Sequence, residues 1–135
     1  MMPAMTSEYP VNERGRIEDP SVTNDQRTYA LLMHLSILAH SIIAPLAIII
    51  TIVMWQKKKS ESAFLDDHGR EAVNFQISLG VYMVAIVILA IPTVGLSLLG
   101  LAVVPILSLV GMIMGMVAAN RGEYFRYPMS LRFFS

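Results

Sequence analysis

Cysteine is absent from this chain of 135 residues, and charge is scarce. The missing cysteine excludes disulfides, thiolate nucleophiles and Cys-ligated zinc or iron–sulfur sites. Only 15% of the residues are charged and the formal net charge is zero, so no basic excess would draw the chain to nucleic acid. The sequence also lacks a Ser-His-acid order and a glycine-rich phosphate loop. We therefore predict a protein that is not an enzyme, with no catalytic residue, cofactor, bound metal or nucleic-acid partner.

Apolar residues dominate what the chain does contain. A hydrophobic content of 55% and a mean hydropathy of +0.58 are too high for an ordinary soluble domain of this size. Three stretches are free of formal charge and long enough to cross a hydrocarbon core of about 30 Å. They predict an all-α, integral membrane helical bundle with three transmembrane helices in the lipid bilayer, at residues 29–55, 72–91 and 98–119.

The first stretch, 29–55, would extend about 40 Å as one helix, which is too long for one upright span. Pro45 lacks an amide hydrogen and clashes with the preceding turn, so a kink is expected near residues 41–45. Neither half alone reaches the roughly 20 residues that a span needs. We therefore predict one long helix kinked at Pro45.

The second and third stretches are separated by a short turn that contains Pro92 and Gly95, which predicts an antiparallel hairpin. Three spans put residues 1–26 on one side of the membrane, and the loop 57–70 and the C-terminal segment on the other. The first side has three basic residues near the spans and the second has seven. The positive-inside rule then predicts the inner (plasma) membrane with the N-terminus outside and the C-terminus cytoplasmic.

Polar segments flank the spans at both ends of the chain. Residues 1–26 contain prolines and scattered charges, which predict a disordered polar tail. Residues Thr23 to Asp25 can cap a helix that starts near Gln26. Residues 27–134 then form the helical membrane domain, in which 120–134 is an interfacial segment with its rings at the headgroups and its arginines toward anionic lipid or the acidic loop.

A polar motif precedes the second span. Its charged and amide residues are three and four apart, so a helix starting near Asp66 would place them on one face at the cytoplasmic boundary. The spacing of His68 and Glu71 could suit a metal, but a capped, salt-bridged helix start is the favoured interpretation because further ligands are missing. This cytoplasmic polar motif comprises Asp66, Asp67, His68, Arg70, Glu71 and Asn74.

A second polar motif follows the third span and comprises Arg121, Gly122, Glu123, Arg126 and Tyr127. A cation and then a glycine are typical of a helix end. Because antiparallel spans return to the same membrane face, we predict that the two motifs form one cluster, with Arg70 and Glu71 meeting Glu123 and Arg121.

Polar side chains within the apolar stretches are candidate functional residues, namely His34, His40 and Gln76. Neutral histidines bonded to backbone carbonyls, or to Ser78 and Tyr82, are the favoured alternative to a proton relay or ligand site. His34 and His40 are six residues apart, so they face different directions on a regular helix and cannot share a metal there.

Gly111 and Gly115 are four residues apart on the third span. This spacing allows close approach of helix backbones in lipid, so we predict packing against another span or a second copy of the chain.

Three motifs carry a family resemblance: His34-Leu35-Ser36, the tract from Phe64 to Gln76, and the tract from Ala119 to Pro128. Together they resemble a widespread family of small bacterial membrane proteins of unknown function. That family is related to Tic-twenty, a component of the chloroplast inner-envelope import machinery. The resemblance covers about residues 29–134 and implies a compact helical membrane domain.

The function predicted from the sequence is that of an accessory or partner subunit of a membrane assembly, as a homo-oligomer or with another membrane protein. The alternative is an oligomeric channel or translocation pore. A pore would need His40, Asn74 and Gln76 to line water, whereas a partner subunit could bury them in protein contacts.

Overall fold

Four α-helices form the part of the chain that the computed structural model describes, which is residues 9–135 apart from the side chains of Ser41 and Ala44. They are α1 (Asn24–Leu35), α2 (His40–Lys58), α3 (Ala63–Leu89) and α4 (Gly100–Asn120). Two 3-10 turns, Ser36–Ala39 and Leu96–Leu99, precede α2 and α4. Within residues 9–135 the extended pairing is limited to isolated bridges. The predicted all-α class is confirmed for these residues.

Two helices are long and apolar enough to cross a membrane, Ala63–Leu89 and Leu96–Asn120. They form an antiparallel hairpin, in which the Ser97 hydroxyl donates to the Ile86 carbonyl at 2.8 Å. The helix α3 begins before the predicted start near Asp66, because the Ser62 hydroxyl caps it by accepting from the Leu65 amide at 3.2 Å. The polar motif therefore lies inside the first turns of α3.

The stretch 29–55 reverses direction, so the prediction of a single kinked span is wrong. The Tyr29 hydroxyl donates to the Met54 carbonyl at 2.9 Å, and Ser36 contacts Thr51, which places α1 antiparallel to α2. The break that Pro45 predicts is present at Ile43, where φ is −136° and ψ is 54°. With 12 residues in α1 and 19 in α2, these helices form a shorter hairpin beside α3 and α4.

Residues 9–23 pack on the end of α4, which corrects the prediction of a disordered tail for this part. The Asp19 amide donates to the Gly122 carbonyl at 3.0 Å, and the Tyr124 amide donates to the Ile17 carbonyl at 2.9 Å. Ile17 and Val22 are buried and anchor the segment. The capping box of Thr23 and Gln26 starts α1 at Asn24. Residues 1–8 of the predicted tail lie outside the described residues.

One end of the molecule therefore collects the N-terminal segment, the α2–α3 loop and the C-terminal segment, and we call it the charged end. Arg14 and Arg16 reach Glu123 there, and Arg126 reaches Asp67. The predicted topology, with the N-terminal segment on the opposite side from the C-terminal segment, is thus wrong. The reversal between α1 and α2 is the reason, because it adds a second crossing of the bundle.

Candidate functional site

A chain of buried hydrogen bonds links α1, α3 and the C-terminal segment. The Tyr127 hydroxyl lies 2.5 Å from His34 Nδ1, His34 Nε2 lies 2.7 Å from His68 Nδ1, and His68 Nε2 lies 2.9 Å from the Glu123 carbonyl oxygen. A carbonyl only accepts, so His68 Nε2 carries the hydrogen and His68 Nδ1 accepts. His34 Nε2 must then donate, and His34 Nδ1 accepts from Tyr127. Each link has one donor and one acceptor when both histidines are neutral.

The Tyr127 hydroxyl is suited to be the donor at the start of this chain of hydrogen bonds. Burial and then the nearby Glu71 carboxylate raise its pKa well above the usual value, so it stays protonated. Its ring stacks on Phe75 with 4.0 Å between the ring centroids and 6° between the planes. Stacking on Phe75 thus fixes the Tyr127 ring while its hydroxyl donates to His34. The chain of hydrogen bonds joins α1 to both predicted motifs.

The two glycines of α4 make room for these rings. A Cβ added to Gly115 would lie 2.6 Å from both His34 Nδ1 and the Tyr127 hydroxyl oxygen, and one added to Gly111 would lie 2.6 Å from Phe75. The four-residue spacing of the glycines predicted packing against another span or a second copy of the chain. The structure places rings on this stripe, from α3 at Gly111, from α1 at Gly115 and from the C-terminal segment at both.

The carboxylates of α3 bind arginines of the C-terminal segment. Arg126 donates to both oxygens of Asp67 at 2.6 and 2.7 Å, and Arg132 donates to Glu71 at 2.8 Å. Glu71 also accepts from the Tyr127 amide at 3.1 Å. The two predicted motifs therefore meet in one cluster, although through other pairs than expected.

The expected partners of Arg70 and Arg121 are corrected by the structure. Arg70 donates to Asp66 at 2.7 Å, one turn away on α3, and Asp66 also accepts from the Trp55 indole nitrogen at 2.8 Å. Arg121 is exposed beyond the end of α4. Gly122 follows it in the left-handed conformation, with φ of 71°. Asp66 is four residues before Arg70 on the same helix, so the Arg70 side chain can always reach it. Glu123 is already bound by groups of the N-terminal segment.

Glu123 is the anchor of the N-terminal segment. Its side chain is fully buried and contacts Arg14 and Arg16, each at 3.0 Å, while Nδ2 of the Asn12 side chain donates to it at 2.8 Å. Burial acts to raise the pKa of this carboxyl, but the hydrogen bonds from Arg16 and Arg14 outweigh it and the pKa is lowered. The carboxylate therefore stays ionised at the charged end.

The C-terminal segment is held along α3 and its arginines reach acidic groups of that helix, while its location at the lipid headgroups stays a prediction. Asn74 accepts from the Phe133 and Phe134 amides at 3.1 and 2.9 Å, and the Ser78 hydroxyl accepts from the Leu131 amide at 2.7 Å. Buried rings close the same segment onto the bundle, namely Tyr124, Phe125 and Tyr127. Asn74 thus fixes the last residues of the chain on the side of α3.

Gln76 and His40, the other polar residues of the apolar stretches, lie deeper. Gln76 is fully buried and donates to Thr51 at 2.7 Å, and its Oε1 has no partner among the described residues. His40 lies beside a cavity of about 480 Å³ that Pro45 and Ser108 also line. Across residues 9–135, no three histidine or carboxylate side chains are grouped as they would be around a metal ion.

Sequence reasoning missed the residues that lie far from the two motifs along the chain. Arg132, Asn12, Arg14 and Arg16 contact motif carboxylates, and Thr51 and Trp55 hold α2 to α3. Arg14 lies in a turn, in which the Gly15 amide donates to the Asn12 carbonyl, so no simple periodicity of the sequence predicts these contacts.

These features define a small helical membrane-associated protein whose charged side chains lie together at one end of the bundle. The chain belongs to the magnetosome magnetite crystal formation protein family, MamF/MmsF, whose family model matches residues 25–134. This finding corrects the resemblance to the bacterial family related to Tic-twenty, because the three motifs that suggested it all lie within the matched residues. Neither the curated proteins nor the solved structures that were compared include a match.

Proposed function

We propose that this protein is a non-enzymatic accessory subunit of a membrane assembly that forms magnetite crystals. The family match links the chain to magnetosome crystal formation. Two helices have the length and composition of membrane spans, which supports insertion into a lipid bilayer. The magnetosome membrane therefore replaces the plasma membrane as the proposed location, with lipid and a further copy or another membrane protein as partners.

The observation that carries this proposal is that the buried carboxylates of the charged end are occupied within the chain. Asp67 and Glu71 bind arginines of the C-terminal segment, and Glu123 binds arginines of the N-terminal segment. A catalytic carboxylate needs an oxygen that can reach a substrate proton or a reacting atom. These groups instead hold the two terminal segments on the helices, which favours a structural role.

A pore is supported less well by the same geometry. His40, Asn74 and Gln76 would have to line water. His40 lines a cavity, but Asn74 and Gln76 are fully buried and donate hydrogen bonds to protein groups, Asn74 to the Phe134 carbonyl and Gln76 to the Thr51 hydroxyl. Such residues support the partner-subunit alternative, in which polar groups are consumed by protein contacts.

The proposed orientation rests on the collection of all ten lysines and arginines at the charged end. The positive-inside rule counts basic residues close to the spans, and here the far end has none. We therefore propose that the charged end, including both terminal segments, faces the cytoplasm.

Photo-crosslinking in isolated magnetosome membranes tests the subunit role. A photoreactive residue would replace exposed Lys59 at the charged end, or exposed Ile113 on the outer face of α4. We expect a discrete protein adduct from at least one position. Adducts to lipid alone from both positions would contradict the subunit role. Ion conductance by the purified protein in planar bilayers would establish the pore instead.

A further inference from the structure

The turn between α3 and α4, residues 90–99, extends beyond the rest of the bundle, and we call it the tip. The turn between α1 and α2 ends lower, because His40 and Pro45 share a cavity with Gly80 and Met83 of α3. From Met83 to Ala90 the helix rises about another 10 Å. The tip therefore stands alone at the end opposite the charged end.

Most of the exposed surface of the tip is apolar, and Thr93 is its exposed polar residue. Ile91 is 88% exposed, Val94 is 95% exposed and Leu99 is 70% exposed. No aspartate, glutamate, lysine or arginine occurs between Ala72 and Asn120. The turn residues Gly95 and Ser97 are present, but the tip lacks asparagine and aspartate, which hydrate well and are common in turns that emerge into water.

The hydrogen-bond donors of the tip from Thr93 to Leu98 are satisfied within the α3–α4 hairpin. Every backbone amide from Thr93 to Leu98 donates to a group between residues 89 and 95. The hydroxyls of Thr93 and Ser97 donate to the carbonyls of Leu89 and Ile86. Donors that are satisfied within the chain suit a lipid environment, since no water is present there to accept their hydrogen bonds.

The conformation of Val94 points the same way. Its φ is 53°, in the left-handed region that asparagine and glycine adopt readily and that is unfavourable for a β-branched residue. In water, glycine or asparagine would adopt this conformation more easily, so a valine would bring no advantage there. A turn among acyl chains gains from the apolar side chain, because asparagine there would lose its hydration.

The height of the bundle places the tip near the far edge of the hydrocarbon. The uncharged part of α3 begins at Ala72 and rises about 26 Å to Leu89, against a hydrocarbon thickness of about 30 Å. We infer that the tip is embedded among the lipid acyl chains of the far leaflet and does not enter water. This inference rests on the membrane insertion included in the proposed function.

A tip embedded in lipid leaves the far side of the membrane without a charged side chain from residues 9–135. The lysines and arginines all lie at the other end, and the uncharged run from Ala72 to Asn120 includes the whole tip. Any contact between this part of the chain and ions or mineral would then occur at the charged end.

Single cysteines test the inference without background, since the chain contains no cysteine. Val94→Cys and Ile91→Cys report on the tip, Leu109→Cys on the exposed middle of α4, and Ser60→Cys on the charged end. Each variant is reconstituted in phosphatidylcholine vesicles with a membrane-impermeant maleimide on both sides. We expect Ser60→Cys to react, and both tip variants to react only after detergent is added.

A second measurement identifies what covers the tip. A fluorophore attached to each cysteine before reconstitution should be quenched by brominated acyl chains at the tip positions and at Leu109→Cys. Reaction of the tip cysteines with the impermeant maleimide before detergent overturns the inference, and so does a shielded tip that bromine does not quench, which indicates a protein contact. Failure of quenching at Leu109→Cys would instead refute membrane insertion itself.

Discussion

Among single residues, Gly115 shows how a small side chain serves ring packing. The positions of His34 and the Tyr127 hydroxyl leave no space for a Cβ at Gly115, since both atoms would lie 2.6 Å from it. Gly80 on α3 is a natural comparison because an added Cβ would meet nothing within 4 Å. The two glycines therefore differ in environment while both lie inside helices.

We expect Gly115→Ala to destabilise the protein by about 1–2 kcal/mol, because loss of a buried hydrogen bond costs about 1–3 kcal/mol and the alanine gains about 0.5–1 in helix propensity. Gly80→Ala should leave stability unchanged or raise it by about 0.5–1 kcal/mol. Thermal unfolding in detergent, followed by circular dichroism, measures both. Equal shifts for the two variants would show that the ring contacts do not constrain Gly115.

Glu123 makes docking of the N-terminal segment depend on pH. Its pKa lies below the ordinary value of 4.5, because the arginine hydrogen bonds outweigh the effect of burial. A lowered pKa in the folded state stabilises the fold fully above the unfolded value, and this stabilisation is lost as pH falls through the folded value. We expect a dye on Glu13→Cys to gain mobility, seen as lower fluorescence anisotropy, when the pH falls below about 4.5.

The control for this experiment is Glu123→Gln, which removes the titrating carboxyl and keeps the side-chain size. With that substitution the dye should be mobile already at neutral pH and should respond less to acid. An anisotropy profile identical to that of the parent would assign the acid response to another carboxyl.

Among the structural elements, the C-terminal segment is held on α3 by ion pairs and hydrogen bonds. Arg126 binds Asp67 and lies 3.6 Å from Glu71, and Asn74 and Ser78 bond the backbone further along. Asp67 and Glu71 have side chains that are 12% and 5% exposed. Removing the arginine therefore leaves carboxylates that water cannot fully solvate.

We expect Arg126→Ala to destabilise the protein by about 3 kcal/mol, near the lower bound for breaking a buried pair, because the arginine side chain is 29% exposed. Arg121→Ala, at an exposed site, should change stability by less than about 0.5 kcal/mol. Denaturant unfolding in detergent gives both values, and limited proteolysis after residue 127 should be faster only in Arg126→Ala. Similar losses of stability in both variants would show that the Arg126 ion pairs do not hold the C-terminal segment on α3.

The molecule as a whole separates its charges from its apolar surface along one axis. The charged end carries every lysine and arginine, and the tip carries none. The reversal between α1 and α2 produces this arrangement, because it returns the chain to the side on which it began. The N-terminal segment from residue 9, the α2–α3 loop and the C-terminal segment then all lie at the charged end.

This topology predicts that Glu13→Cys and Ser60→Cys are accessible from the same side of the membrane. An impermeant maleimide applied to vesicles of uniform orientation should label both or neither. The fraction labelled before and after detergent, measured for each variant, gives the side directly. Opposite sides for the two cysteines would restore the topology with three spans and refute the reversal.

Features that depend on neighbours along the chain can be predicted from the sequence alone. The charge-free run from Ala72 to Asn120, broken by Pro92 and Gly95, dictates a helical hairpin. In an apolar environment a helix satisfies its backbone hydrogen bonds within one segment. Pro45 dictates a break one or two residues earlier, since it lacks a donor and crowds the preceding turn. Thr23, with Gln26 three residues later, dictates the start of α1.

The direction of the chain after the break at Ile43, and the pairing of its charges, depend on tertiary packing. A proline interrupts a helix without setting the direction of the next segment, and α1 and α2 reverse because their faces pack on α3 and α4. Glu123 binds Arg14 and Arg16, more than a hundred residues earlier, and such pairing leaves no local period in the sequence. Local patterns specify elements, whereas the choice among many possible long-range partners depends on which contacts the packed helices bring together.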